Sequence, residues 1–145
     1  MIRTFALIFG IIYLLVGISG FIPGLVHQHP DLPPIAVDTL YGRLLGIFPV
    51  NILHSVVHLA IGAGGLLASR NVGSARLYGR GIAIFYGLLT ILGLIPVVNT
   101  LFGLIPIFGH DVWLHALSAL VAAYFGFVAP ATESDRSTVN PAPAS

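Results

Sequence analysis

The chain has 145 residues, of which 57% are hydrophobic and 8% charged, with a formal net charge of +1, and its mean hydropathy is +0.98. So few charges cannot cover the surface of a soluble protein this size, and six arginines without a basic stripe exclude a nucleic-acid partner. The absence of cysteine excludes disulfides, thiolate metal sites and cysteine nucleophiles.

Residues 4–23 form the first apolar segment, about the 20 residues needed to cross the hydrocarbon layer. Arg3 followed by an apolar run also suits a secretory signal. The segment Arg3–Pro23 recurs 73 positions later as Arg76–Pro96, with Arg3/Arg76, Ile11/Ile84, Tyr13/Tyr86, Leu15/Leu88, Ile18/Ile91, Gly20/Gly93, Ile22/Ile95 and Pro23/Pro96 identical. A mid-chain copy cannot act as a signal, so the first segment is expected to be a retained span. Residues 24–39 are rich in proline and contain His27, His29, Asp31 and Asp38, which predicts an ordered or partly extended loop. The second span is expected over about 44–68, with Pro49 near its start. The third covers 77–96 and the fourth 111–129, with Asp111 as its N-cap. The intervening stretch 97–110 is apolar and expected at the membrane interface. Trp113 reads as an interfacial anchor. Residues 131–145 are expected to be a disordered cytoplasmic tail.

Arg3, Arg70, Arg76, Arg80 and Arg136 fall on one side of this arrangement and only Arg43 on the other. The positive-inside rule therefore predicts cytoplasmic N- and C-termini in a cytoplasmic membrane. The expected fold class is an all-α integral membrane protein: a four-transmembrane-helix bundle over residues 1–130, built from two parallel-repeated helix hairpins. Each helix carries a stripe of small and polar residues suited to close packing in lipid: Gly10, Tyr13 and Gly17; Asn51, Ser55, His58, Gly62 and Gly65; Gly79, Tyr86 and Gly93; Asp111, His115, Ser118, Ala122 and Gly126.

All six histidines lie in the outer half of this topology. His54 and His58 are spaced i, i+4, as are Asp111 and His115, so each pair shares a helix face. Three readings follow. Tyr13, Asn51, Ser55, His58, Tyr86, Asp111 and His115 can hydrogen-bond between helices, where a polar group in lipid needs a partner. His58 and His115 on facing helices can ligate a haem or chlorophyll. His54, His58, Asp111 and His115 can bind zinc or copper or relay protons, with His27 and His29 at the mouth. No zincin-type acid follows His54, and with five acidic residues in the chain no paired carboxylates are available for acid–base chemistry. An accessory or structural subunit of a larger membrane complex, in contact with lipid, is the expected role, with a cofactor-binding protein and a small transporter or proton relay as alternatives.

The strings Asn51-Ile-Leu-His54-Ser-Val-Val-His58-Leu-Ala-Ile-Gly62, Ala75-Arg76-Leu77-Tyr78 and Asp111-Val-Trp-Leu-His115 resemble domain-of-unknown-function family 4383, small four-helix membrane proteins of prokaryotes. The resemblance spans about residues 1–129. It implies the same fold without an assigned activity and marks Asn51, His54, His58, Gly62, Arg76, Asp111 and His115.

Overall fold

The computed structural model describes residues 1–130; the expected tail, 131–145, lies outside them. The order is α1 (Ile2–Ser19), β1 (Val26–His27), β2 (Gly42–Leu44), β3 (Phe48–Val50), α2 (Ile52–Ala68), α3 (Val72–Gly93) and α4 (His110–Ala123), continued by a π-helical turn (Tyr124–Val128). The protein is mostly helical. Three of its helical stretches, Ile2–Ser19, Val72–Gly93 and His110–Val128, are long and apolar enough to cross a membrane, while α2 is an apolar helix of 17 residues.

The helices pack as two antiparallel pairs, and glycine sets the approach within each. A Cβ added to Gly10 of α1 would lie 2.8 Å from Gly62 O and from Leu66 N of α2, so those backbones touch where any side chain would part them. Further along the same seam a Cβ on Gly17 would meet Leu59 N at 2.8 Å. In the other pair, a Cβ on Gly126 would lie 2.7 Å from Arg80 N. Arginines close the far end of both pairs. Arg3 Nε donates to Ser69 O at the end of α2 (2.9 Å), and Arg76 Nη2 donates to Ala129 O after α4 (3.0 Å). The π-helical turn leaves Gly126 O for Arg80 Nε (3.0 Å). Between the pairs, Phe5, Phe9 and Tyr13 of α1 stack on one another and reach Phe125 and Tyr86.

The opposite end corrects the all-α expectation. Residues 42–50, which overlap the expected start of the second span at 44, form a β-hairpin whose first strand also pairs with β1, giving an antiparallel sheet in the order β1-β2-β3 with Val26 opposite Leu44 and Gly42 opposite Val50. The apolar run Leu44–Phe48 hides a turn, in which Leu45 and Gly46 have φ of 54° and 74°. Pro49, without an N–H, sits in β3 rather than opening a helix. α2 starts only at Ile52, where the Asn51 side chain accepts from His54 N (2.9 Å). α3 likewise starts earlier than expected, at Val72, because Asn71 caps it by accepting from Ser74 N (2.8 Å).

The segment 94–109 folds back under the first loop. Gly103 O accepts from Ala36 N (2.9 Å) and Val37 N (3.1 Å), and the Asn51 amide donates to Val37 O (2.8 Å) and Leu104 O (2.7 Å). One buried side chain thereby fastens both loops and caps α2. On the solvent side Asp31 accepts from Arg43 Nη2 (2.8 Å) and pairs with His29. Slight desolvation pushes the Asp31 carboxyl up, but the hydrogen bonds and charges of Arg43 and His29 outweigh it and hold the group below the ordinary range.

Candidate functional site

Directly beneath this loop layer, the helices bring histidines from different parts of the chain together. Asn51 fixes the first turn of α2, which puts His54 and His58 on one inward face with ring centroids 4.5 Å apart. α4 enters from Gly109, whose φ of 66° and ψ of −129° are accessible only to glycine. The cap at Gly109 displaces Asp111 from the expected N-cap position into the first turn. There it is buried (2% exposed), one helical turn before His115.

His115 completes the cluster. One nitrogen from each of His54, His58 and His115 lies within 4.8 Å of the others, and all three residues are buried. The Tyr86 ring of α3 packs on His115 (4.9 Å between centroids), and the Tyr13 ring of α1 meets His58 edge-on (5.3 Å). Asp111 Oδ2 stands 3.7 Å from His54 Nδ1, beyond hydrogen-bonding distance.

Five polar atoms here are buried without a hydrogen-bond partner: Nδ1 of His54, His58 and His115, Oη of Tyr86 and Oδ2 of Asp111. Each such atom costs about 1–3 kcal/mol relative to a satisfied one. Five gathered at one place are a concentrated expense that packing alone does not require, since leucine would fill the same volume without it.

The other sequence candidates separate by function. Tyr13 Oη shares a 2.7 Å hydrogen bond with Ser118 Oγ across the α1–α4 boundary. Asn51 bonds to loop carbonyls, and Ser55 Oγ donates back to Asn51 O (3.1 Å) within its own helix. His27 lies in β1 and His29 pairs with Asp31 on the exposed loop, so neither belongs to the cluster. Ser118 was visible on the α4 stripe three residues after His115, but only the fold shows that it meets Tyr13.

The cluster discriminates among the groups expected for it. The enclosed cavity beside His54, His58 and Tyr86 has a volume of about 170 Å³, below the ~300 Å³ at which pockets begin to take even modest organic ligands. Aromatic rings wall the histidines, and the cavity on this side of His58 is too small for the planar macrocycle of a haem or chlorophyll. A single ion needs no such room. Tetrahedral ligation at about 2.0–2.1 Å would put ligand nitrogens roughly 3.4 Å apart, and the three imidazoles here bring one nitrogen each within 4.8 Å of the others. Imidazoles without a thiolate are the donor set that zinc and copper take.

No curated protein and no solved structure matches the chain. Residues 3–128 match the family model described as "Domain of unknown function (DUF4383)", and the chain belongs to that family.

Proposed function

We propose that this is a multi-pass membrane protein that binds one transition-metal ion, zinc or copper, through His54, His58 and His115. The observation that carries the reading is the convergence of three buried imidazoles whose Nδ1 atoms have no partner. That convergence favours a ligand over the purely accessory role expected from the sequence, because a packing surface has no use for orphaned polar atoms. Asp111 Oδ2, 3.7 Å from His54 Nδ1 and itself without a hydrogen-bond partner, would place a carboxylate beside the ion to offset its charge. The bound ion would supply Lewis acidity or, with copper, one-electron exchange; the chain's own contribution is a buried cluster beneath the two loops that Asn51 fastens.

In this reading α2 also spans the membrane, giving four spans in two hairpins, with the arginine-rich ends cytoplasmic and the sheet and histidines toward the outside of a cytoplasmic membrane. The matching closures by Arg3 on Ser69 O and Arg76 on Ala129 O support a duplicated hairpin. So does the meeting of the equivalent Tyr13 and Tyr86 at the centre (5.4 Å).

The test is elemental analysis of protein purified from membranes without chelators, followed by zinc and copper titration of the stripped protein. One ion per chain is expected, lost in His58→Ala and His115→Ala and retained in His27→Ala and His29→Ala. A folded, stripped protein that takes up neither metal at micromolar concentration refutes the proposal.

A further inference from the structure

A larger opening lies on the other side of His58. α1 and α4 diverge around the Tyr13–Ser118 hydrogen bond, leaving a groove of about 620 Å³ between them. Its walls are Ile8, Ile12 and Val16 of α1 and Leu117 and Val121 of α4, and its floor is Tyr13, Ser118 and His58. Ile8, Ile12 and Leu117 at the rim are between 50% and 60% exposed, so in a membrane the groove opens sideways into lipid.

The polar floor sets the chemistry of the occupant. Tyr13 and Ser118 carry two hydroxyl protons and use one between themselves, so the pair still has one O–H that a ligand oxygen could accept. His58 is only 5% exposed and brings a ring whose Nδ1 has no partner. No carboxylate or guanidinium lines the groove among the described residues, and the Met1 amino group at its far end lies about three helical turns from Tyr13, so a charged head group has nothing to neutralise it at the polar floor. In the four-span arrangement proposed above, Ser118, eight residues into α4, lies about 12 Å below the loop end at 1.5 Å per residue, a depth that phospholipid head groups and glycerol esters do not reach in a hydrocarbon layer about 30 Å thick. An uncharged head with hydrogen-bond-accepting oxygens on a long apolar tail meets all three conditions.

We infer that the α1–α4 groove is a lateral binding site for a membrane-dissolved quinone-class molecule, with its ring oxygens on Tyr13, Ser118 and His58 and its tail along the apolar walls. The site faces lipid and shares His58 with the histidine cluster, so it is tested on protein from which any metal has been stripped.

The experiment uses metal-free full-length protein in phosphatidylcholine nanodiscs, labelled with a ring-azido derivative of decylubiquinone and mapped by peptide mass spectrometry. Labelling is expected to saturate near Tyr13, His58 and Ser118. Decylubiquinone should compete at least tenfold better than decanol, which carries the tail without the ring. Leu117→Trp, which fills the groove from an exposed rim position, should reduce labelling at least tenfold, and the combined Tyr13→Phe and Ser118→Ala changes should abolish the advantage over decanol. Labelling spread over all lipid-facing helices, equal competition by decanol, or a Leu117→Trp protein that labels like the parent overturns the inference. Circular dichroism of each variant separates loss of binding from loss of fold.

Discussion

Replacing His115 with leucine tests whether the histidine cluster is kept for a ligand or for the fold, because the two ideas predict opposite signs. His115 is 1% exposed, its Nδ1 has no partner and its ring packs on Tyr86. Leucine occupies a similar volume, so His115→Leu leaves little cavity and orphans no neighbour. Removing an unsatisfied buried polar atom returns about 1–3 kcal/mol, and losing the ring contact with Tyr86 takes back about 0.5–1.5 kcal/mol. The metal-free variant should therefore be about 1 kcal/mol more stable than the metal-free parent. Adding zinc at a hundred times its dissociation constant should then stabilise the parent by about 2.7 kcal/mol and leave the variant unmoved, reversing their order. The assay is unfolding in mild detergent, followed by circular dichroism with chelator and with zinc. A chelated His115→Leu protein less stable than the chelated parent would refute the reasoning, because His115 would then be making a stabilising contact in the absence of metal.

Three further outcomes follow from the geometry. Gly10→Ala should destabilise by about 1–3 kcal/mol, since its Cβ would press on the α2 backbone at 2.8 Å; Gly87→Ala, where nothing lies within 4 Å, should gain about 0.5–1 kcal/mol from helix propensity; and equal unfolding midpoints would contradict the packing. Asn51→Ala removes a helix cap and two loop anchors and should cost about 2–4 kcal/mol, with proteolytic cleavage appearing first between residues 30 and 50; an unchanged digestion pattern would mean the loops are held elsewhere. Asp31 is held below its ordinary pKa, so its contribution to loop order is present above the unfolded value near 3.8 and disappears as pH falls through the lower folded value. Hydrogen exchange in residues 26–50 should accordingly rise below pH 4 in the parent, and Asp31→Asn should already exchange faster at pH 7 and lose that pH dependence.

The helices were legible where hydrophobicity decides and illegible where a few polar contacts do. α1 and α3 follow from length and apolarity, and their ends moved by only a few residues because Asn71 caps α3 before its apolar run begins. The start of α2 was misplaced because Leu44, Leu45, Ile47 and Phe48 look like a helix entering lipid. The contrary signals were Gly42, Gly46 and Pro49, which favour a hairpin, and Asn51, a good N-cap directly before the apolar run that starts at Ile52. Spacing by four residues grouped His54 with His58 and Asp111 with His115. That these pairs face each other across α2 and α4, that Gly109 takes the cap expected of Asp111, and that His27 and His29 stay out on the loop all depend on long-range packing that no local spacing encodes.

The clasp formed by Asn51 has a consequence for biogenesis. Its bond to Leu104 O joins positions 53 residues apart, so it cannot close until α3 and the segment after it have been made. The cluster needs more of the chain still, because His115 comes with α4. A nascent chain halted after α2 holds two of the three histidines without the lid over them. If the cluster binds an ion as proposed, its acquisition would be deferred to the finished molecule, and a filled site would report that both halves had been joined.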